Sequence, residues 1–189
     1  MKKKKRKMKP VDLKKYFLYF LMYAIFGWLY EVFLEVVIYR WGYSDRGVLT
    51  GPYCPIYGVG ALLFIFLIYH LIKEKPLKRK LIMIPAVFIL CALSATLLEL
   101  ITSYICEFLM GSWPWQTYVD YKYNFQGRIA LSPSLRFGLG GLLFLYILQP
   151  LFEKLLKKLG PKKVNKIFNI AVIIFSLDVI CFILKLLLK

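Results

Sequence analysis

Histidine, acidic residues and several catalytic motifs are scarce or missing in this chain, and each absence narrows the range of functions. There is one histidine, His70, and ten acidic residues stand against 27 lysines and arginines. The four cysteines show no metal-ligand spacing, so we expect no metal site and no cofactor. A bridge between Cys54 and Cys106 would need both to approach the outer face, and packed thiols are the preferred interpretation. No Gly-x-x-x-x-Gly-Lys-Ser/Thr phosphate loop occurs, so any ATPase would have to be another chain.

Long apolar runs dominate the rest of the chain. Hydrophobic residues make up 60% of the sequence and the mean hydropathy is +0.62, far above that of an ordinary soluble domain. The first run follows a lysine-rich start but is too long for a signal peptide, which predicts a retained anchor. The sequence predicts an all-α integral membrane protein with five transmembrane helices, at residues 16–39, 56–72, 81–110, 134–153 and 167–188.

Basic residues are concentrated in three segments before or between these runs. Residues 1–15, 73–80 and 154–166 hold nine, five and six of the 27 lysines and arginines. Because short cytoplasmic loops collect such residues, we expect the N-terminus in the cytoplasm and the C-terminus outside the cell membrane. This divides the chain into a basic N-terminus (1–15), a four-span core (16–153), a basic cytoplasmic loop (154–166) and a fifth helix (167–189). The charge predicts contact with anionic membrane lipid headgroups and not with nucleic acid.

An internal repeat relates the two halves of the four-span core. A shift of 80 positions places Gly47, Tyr57, Gly58 and Gly60 on Gly127, Phe137, Gly138 and Gly140. Each half would be an outward helix ending in glutamates, an outer segment and an inward helix that opens with Gly-x-Gly. The match predicts two parallel two-helix repeats related by an axis along the membrane normal.

Four glutamates interrupt the apolar runs in two pairs. Glu31 and Glu35 lie four residues apart, and Glu99, Ser103 and Glu107 follow an i, i+4, i+8 stripe, so each set occupies one helix face. Glu31 and Glu99 lie roughly 22 and 24 Å from the inner boundary of a ~30 Å core, so the two pairs share a level. An ionisable side chain in hydrocarbon needs a partner or a polar cavity. The sequence therefore predicts a polar site in the outer part of the bundle.

Two arginines of the outer loops, Arg46 and Arg128, are the expected counter-charges, since a guanidinium group can hold a carboxylate bidentately. Either these charges form a buried salt-bridge cluster that fixes helix packing, or they line a cavity that binds a polar or charged ligand from outside. Both interpretations stay open, because a buried ion pair is weak evidence for stability. The candidate substrate-binding residues are Glu31, Glu35, Arg46, Tyr53, Tyr57, Glu99, Ser103, Glu107, Asp120, Asn124 and Arg128.

The segment over residues 46–58 cannot form a regular helix. Its prolines lack backbone donors and its glycines permit unusual dihedral angles. Irregular backbone at membrane depth must be buried in protein or line a cavity, so this apolar stretch is either a re-entrant segment or a tight outer loop. The expected loop-shaping residues are Gly47, Gly51, Pro52, Pro55 and Gly58, together with Gly127 in the second outer segment.

The second outer segment, residues 113–128, is dense in tryptophan and tyrosine, which favour the headgroup level. An aromatic belt explains most of it, but not Asp120, Asn124 and Arg128, which are placed to supply ligand contacts. Asp178, near the middle of the fifth run, needs protonation or a hydrogen bond to a neighbouring helix.

Several of these residues fall into one specific pattern. It consists of Gly27-Trp28-x-x-Glu31, Arg46-Gly-x-Leu-x-Gly-Pro-Tyr-Cys-Pro-Ile-Tyr-Gly58, Glu99, Asp120-Tyr121 and Asn124-x-x-Gly127-Arg128-Ile129. This pattern resembles that of the bacterial family labelled "Putative ABC-transporter type IV", or CmpB-like, and covers about residues 16–150. The resemblance implies a multi-span, permease-like membrane protein. The pattern departs from the family's at Asp45, Val119, Lys122 and Tyr123, all in outer loops.

Three functions stay open at this point. The first is a permease-like transport component that binds a small polar or ionic solute at the outer Glu/Arg pocket, with a separate nucleotide-binding ATPase subunit as its partner. The second is an intramembrane enzyme or binding protein acting on lipid or envelope precursors, ranked lower because no nucleophile or catalytic spacing supports it. The third is a non-catalytic membrane scaffold with purely structural charges. The short basic loops offer little surface to an ATPase, and a homo-oligomer is also open.

Overall fold

Residues 10–44 and 47–188 are described by the computed structural model of the chain, which is predominantly helical. A helix satisfies its backbone hydrogen bonds within its own segment, so apolar runs in a membrane protein adopt this structure. Three of the helices continue into a π-helical turn. The helices are α1 (Pro10–Phe33, continued by Leu34–Ile38), α2 (Pro55–Phe64, continued by Ile65–Tyr69), α3 (His70–Ile72), α4 (Leu77–Ile82), α5 (Ile84–Met110), α6 (Leu131–Leu143, continued by Phe144–Leu148) and α7 (Gln149–Leu187).

Four helical stretches are long and apolar enough to cross a membrane, which confirms the prediction of an α-helical membrane protein. They are Leu13–Ile38, Pro55–Ile72, Ile84–Met110 and Leu131–Leu187. The last has 57 residues and, at the helical rise, would measure about 85 Å if it were straight, nearly three times the thickness of a bilayer core.

A break at Gly160 divides this last stretch. Its φ of 73° and ψ of 166° are not helical, and a φ in this range is one that glycine adopts at little cost. Pro161 follows at once, and its fixed φ suits the first position of a new helix. The predicted basic loop, residues 154–166, is therefore helical on both sides of a sharp reversal.

Contacts with α1 give the direction of the chain on each side of this break. Arg136 contacts Tyr39 and Phe144 contacts Tyr23, so α6 descends antiparallel to α1. After the break, contacts between α7 and α1 advance along both helices in the same direction. The pairs are Lys14 with Asn165, Phe17 with Phe168, and Phe20 with Phe175. The part of α7 after Gly160 therefore runs parallel to α1.

The bundle has two chemically different ends. The basic end comprises the start of α1, residues 73–80 and residues 154–166. The loop end comprises residues 39–54 and 111–130, which connect α1 to α2 and α5 to α6. Between them, glycines let the helices approach closely: Gly58 lies against Phe20 and Gly138 against Phe88, where an added Cβ would overlap the aromatic ring.

The first connection at the loop end is irregular over residues 47–54, as predicted, and lies deep beside α1. Leu49 and Tyr53 are buried against Ala24, and the Cys54 amide donates to the Ala24 carbonyl at 2.9 Å. Ala24 precedes the end of the helical stretch at Ile38 by 14 residues, so the chain returns about 21 Å along α1. This depth favours the re-entrant interpretation over a tight outer loop. The four cysteines are thiols, so no Cys54–Cys106 bridge forms.

The second connection is a compact unit built around a hairpin. A 3₁₀ helix, Gln116–Asp120, precedes strands β1 (Asn124–Phe125) and β2 (Ile129–Ala130), which pair antiparallel. The indole N–H groups of Trp113 and Trp115 donate to the carbonyls of Gly127 and Arg128, at 3.1 and 2.8 Å. These two tryptophans therefore stabilise the hairpin through hydrogen bonds, in addition to any placement at the headgroup level.

Candidate functional site

Two carboxylates at the loop end each accept a hydrogen bond from a tyrosine hydroxyl. Tyr57, in the first turn of α2, donates to Glu31 of α1, and Tyr118, in the 3₁₀ helix, donates to Glu99 of α5 at 2.8 Å. Glu99 is only 4% exposed, and Glu31 is partly buried. Each tyrosine belongs to the segment that follows its glutamate helix, so both halves of the molecule use one arrangement.

The two carboxylates are close enough to interact with one another. Glu31 interacts electrostatically with Glu99 and also with Tyr118, so the two carboxylates and the two tyrosines form one cluster. Glu31 and Glu99 are called the carboxylate pair. Burial, and then the neighbouring Glu99, raise the pKa of the Tyr118 phenol well above its ordinary value. Its hydroxyl therefore stays protonated at neutral pH and remains a donor.

Three buried polar atoms in the described part of the loop end have no hydrogen-bond partner there. They are the second carboxylate oxygen of Glu99 (Oε2), the indole Nε1 of Trp28 and the Nε of Arg128. Buried polar groups in native proteins are nearly always paired with protein, water or ligand. An unpaired carboxylate oxygen is the costliest of the three if it is charged, so the side of Glu99 away from Tyr118 is the place where a bound group would be stabilised.

Arg128 is held in a second cluster, adjacent on the same face of α5. Its guanidinium group pairs with Glu107 and lies 3.5 Å from the Ser103 hydroxyl. The rings of Tyr104 and Trp113 lie 4.1 Å from the guanidinium carbon, which is stacking geometry for an arginine. Because Glu99, Ser103 and Glu107 are four residues apart, this cluster continues the predicted stripe, but the partner of Arg128 is Glu107 and not Glu99.

Three other predicted site residues are described by the structure: Glu35, Asn124 and Asp120. Glu35, 5% exposed, accepts from the Ser44 hydroxyl at 2.6 Å and from its amide at 3.2 Å. Asn124 bonds within the hairpin, where its amide oxygen accepts from the Gly127 N–H at 2.9 Å. Asp120 is exposed and makes no hydrogen bond or ion pair with the residues that are described. Arg46 lies outside the described residues.

Two charged residues at this end were missed as site residues. Arg136, at the start of α6, donates to the hydroxyls of Tyr39 at 2.9 Å and Tyr121 at 3.3 Å. Asp178 of α7 accepts from the irregular segment: from the amide of Gly51 at 2.8 Å and from the hydroxyl of Tyr53 at 2.5 Å. The signal for both was an isolated charge in an apolar helix, which marks a residue as needing a partner but does not identify it.

One predicted loop-shaping residue, Gly58, lies inside α2 and not in the irregular segment, because the helix already begins at Pro55. Pro55 is the first residue of α2, where its missing donor costs nothing, and Gly47 and Gly127 have φ of 104° and 64°. No group of three potential metal ligands occurs among the described residues. The donor set of the carboxylate pair is thus two carboxylates and two hydroxyls, which suits a cationic or hydrogen-bonding solute.

No curated protein and no solved structure matches this chain. A family model does match, over residues 18–183, and this range includes all four membrane-crossing stretches in whole or in large part. The chain belongs to the family described as "Putative ABC-transporter type IV".

Proposed function

We propose that the chain is the membrane-embedded component of an ABC-transporter-related system and binds a small polar or ionic solute at the carboxylate pair. The observation that carries the proposal is the unpartnered Oε2 of Glu99, which is buried beside a second carboxylate, Glu31. Two carboxylates that share a buried place repel one another when both are charged. A bound cation or a proton relieves this repulsion, so the solute we favour is positively charged.

The charge around the pair supports a cationic solute over an anionic one. Among the described residues, the oxygen donors to Glu31 and Glu99 are neutral tyrosine hydroxyls, and the nearest buried cation, Arg128, is paired with Glu107. An anion would face uncompensated carboxylates, whereas a small ammonium or alkali cation would find oxygen ligands.

For the architecture we propose five membrane spans, with α7 crossing after Gly160, the N-terminus cytoplasmic and the C-terminus outside. Support comes from the reversal at Gly160 and from the lysine-rich composition of the basic end. Reporter fusions after residues 74, 160 and 188 test it. The first two should report the cytoplasmic side and the third the opposite side. If the fusion at 188 reports the same side as the fusion at 160, the chain does not cross the membrane again after Gly160.

We also propose that the two helix pairs are parallel repeats. Glu31 and Glu99 differ by 68 positions, as do Phe20 and Phe88, whereas the glycines that meet these rings, Gly58 and Gly138, differ by 80. The second connection, residues 111–130, is four residues longer than the first, residues 39–54. The rest of the difference of 12 comes from the two flanking helices, which add four residues each. The π-helical turns Ile65–Tyr69 and Phe144–Leu148 also follow α2 and α6 directly, which supports the same correspondence.

The solute proposal is tested by ligand-dependent thermal stability of the purified protein in mild detergent. The probes are sodium, potassium, choline, spermidine and lysine as cations, with glutamate and sulfate as anions. A solute that binds only the folded state raises Tm by mass action, and we expect this from a cation. Glu99→Gln should abolish the rise, while Glu74→Gln, the same change on an exposed residue of the basic end, should leave it intact.

Two results would contradict the solute proposal. One is equal stabilisation of wild type and Glu99→Gln by the same cation. The other is an intact, more stable Glu31→Gln/Glu99→Gln double variant that still complements a deletion in cells, since this is the behaviour of purely structural charges. Affinity purification with mass spectrometry tests the other half of the proposal, because we expect a chain with a nucleotide-binding phosphate loop to co-purify.

A further inference from the structure

A cavity of about 410 Å³ lies at the basic end, far from the carboxylate pair. It is enclosed by α1, by the end of the α2–α3 stretch and by the first turns of α7. The π-helical turn Ile65–Tyr69 lines it, and the turn Phe144–Leu148 leads directly into its wall at Gln149. Single π-helical turns inside α-helices occur frequently at functional sites, and two of the three found in residues 10–44 and 47–188 flank one cavity.

The charged residues around the cavity are predominantly basic. Lys15, Lys73 and Lys157 line it together with one acid, Glu153, which gives a formal charge of +2 with His70 neutral. Lys73 donates to Glu153 at 2.7 Å, so Glu153 is already neutralised by one lysine. The ammonium groups of Lys15 and Lys157 carry the excess charge, and an anion is the ligand that this excess attracts.

The wall of the cavity contains a buried donor with nothing to donate to. Gln149 is completely buried, and its Oε1 accepts from the Tyr23 hydroxyl at 3.1 Å. Its Nε2 has no acceptor in good hydrogen-bond geometry among the described residues, and its polar neighbour there, the Tyr19 hydroxyl, interacts with it weakly. Since Gln149 lines the cavity, an acceptor-rich group bound there would satisfy this amide.

From these features we infer that the cavity binds a phosphate group, with the anionic headgroup of a membrane lipid as the favoured source. Phosphate offers several acceptor oxygens to the Gln149 amide and to lysine ammonium groups at once. The volume exceeds that of the bare ion and falls in the range of small-molecule sites. Phe66, which is 45% exposed and lines the cavity, provides an apolar edge along which an acyl chain would lie.

The test is native mass spectrometry of the whole protein in neutral detergent, titrated with phosphatidylglycerol or with diacylglycerol of the same chains. The two lipids differ in the phosphate-bearing headgroup. We expect one retained phosphatidylglycerol and no retained diacylglycerol. The double variant Lys15→Gln/Lys157→Gln should lower the affinity for phosphatidylglycerol at least about tenfold, since each lost contact is charge-assisted.

A matched control separates the cavity from general attraction to the basic end. Lys154→Gln/Lys158→Gln removes the same total charge from the same end of the bundle, but these lysines do not line the cavity. Its affinity should stay within about twofold of wild type, because surface charges contribute mainly to non-specific attraction. Equal weakening of both doubles, or equal retention of diacylglycerol, would overturn the inference. Gln149→Met, which removes the amide at similar size, should also weaken binding.

Inorganic phosphate identifies the source of the group. If phosphate alone raises Tm as much as phosphatidylglycerol, and the cavity double abolishes both effects, the phosphate site stands and its ligand is a soluble phosphate compound. If only the lipid acts, the ligand is the headgroup. Glu99→Gln should leave phosphatidylglycerol binding unchanged, so failure at this cavity and failure of the solute site are distinguishable.

Discussion

Replacing Asp178 with asparagine should release the irregular segment, residues 47–54, from the bundle. The carboxylate accepts from the amides of Thr50 at 3.1 Å and Gly51 at 2.8 Å and from the Tyr53 hydroxyl at 2.5 Å. Asparagine keeps one of the two oxygen acceptors and replaces the other with an NH₂ group, which cannot accept a hydrogen bond from the facing donor. The variant should therefore lose about half of these contacts while the rest of α7 is unchanged.

The size of the effect follows from the type of bond. A hydrogen bond to a charged group contributes about 1.5–3 kcal/mol. Because Asp178 is only partly buried, we assign a value near the lower limit to the total free energy that Asp178→Asn removes. Opening of the segment should then become easier by about 2 kcal/mol, which is roughly a 30-fold increase in the open population.

Cys54 reports this opening through its rate of labelling by a maleimide. It is 5% exposed in the segment, and Cys91, 0% exposed between α5 and α6, serves as an internal reference for global unfolding. In a Cys106→Ala/Cys181→Ala background, Asp178→Asn should speed labelling of Cys54 by roughly 30-fold and leave Cys91 protected. Ser176→Ala, an exposed change on the same helix, is the control. Unchanged labelling of Cys54 would refute the role of Asp178, and parallel labelling of Cys91 would mean global destabilisation.

Three further predictions concern packing, the Arg128 cluster and the carboxylate pair. Gly58→Ala should lower Tm by overpacking against Phe20, at a cost of about 1–3 kcal/mol, while Gly140→Ala, which meets nothing within 4 Å, should keep or raise it; equal Tm values would contradict the close approach. Arg128→Lys should lower Tm and shift tryptophan emission to the red, because lysine cannot stack between two rings, and Lys122→Ala should do neither. Glu99→Gln replaces the carboxylate that accepts from the Tyr118 hydroxyl with a neutral amide, so the NMR signal of ring-labelled Tyr118 should shift at neutral pH; an unmoved signal would disprove the contact.

The helices and their approximate limits were predictable because crossing a bilayer is a property of local composition. The expected runs 16–39 and 56–72 correspond to the crossing stretches Leu13–Ile38 and Pro55–Ile72. The irregular segment was also predictable, since prolines and glycines act through their own backbone. The stretch Leu131–Leu187 shows the limit: its basic segment, residues 154–166, indicated a division, but the reversal at Gly160 and the helix on both sides of it depend on the dihedral angles of one glycine.

The partners of the site residues could not be predicted in the same way. The chain has 14 tyrosines, and no periodicity selects Tyr57 and Tyr118 as the donors to Glu31 and Glu99. An outer-loop arginine was expected to pair with a glutamate of the apolar runs, and Arg128 does so. Its partner could not be predicted, because the hairpin places Arg128 against Glu107 and not against Glu99. The cavity at the basic end combines residues from three helices and left no signal in the sequence beyond its lysines.

A bilayer imposes helix length, hydropathy and the cost of each charge locally, so the amino-acid sequence was enough to predict a helical membrane protein with charged residues in its apolar runs. Three features needed the fold: which carboxylate keeps an unpaired oxygen, which aspartate holds the irregular segment, and where a cavity remains. These features depend on distances between residues far apart in the chain, such as Thr50 and Asp178, which are 128 positions apart, and packing alone sets such distances.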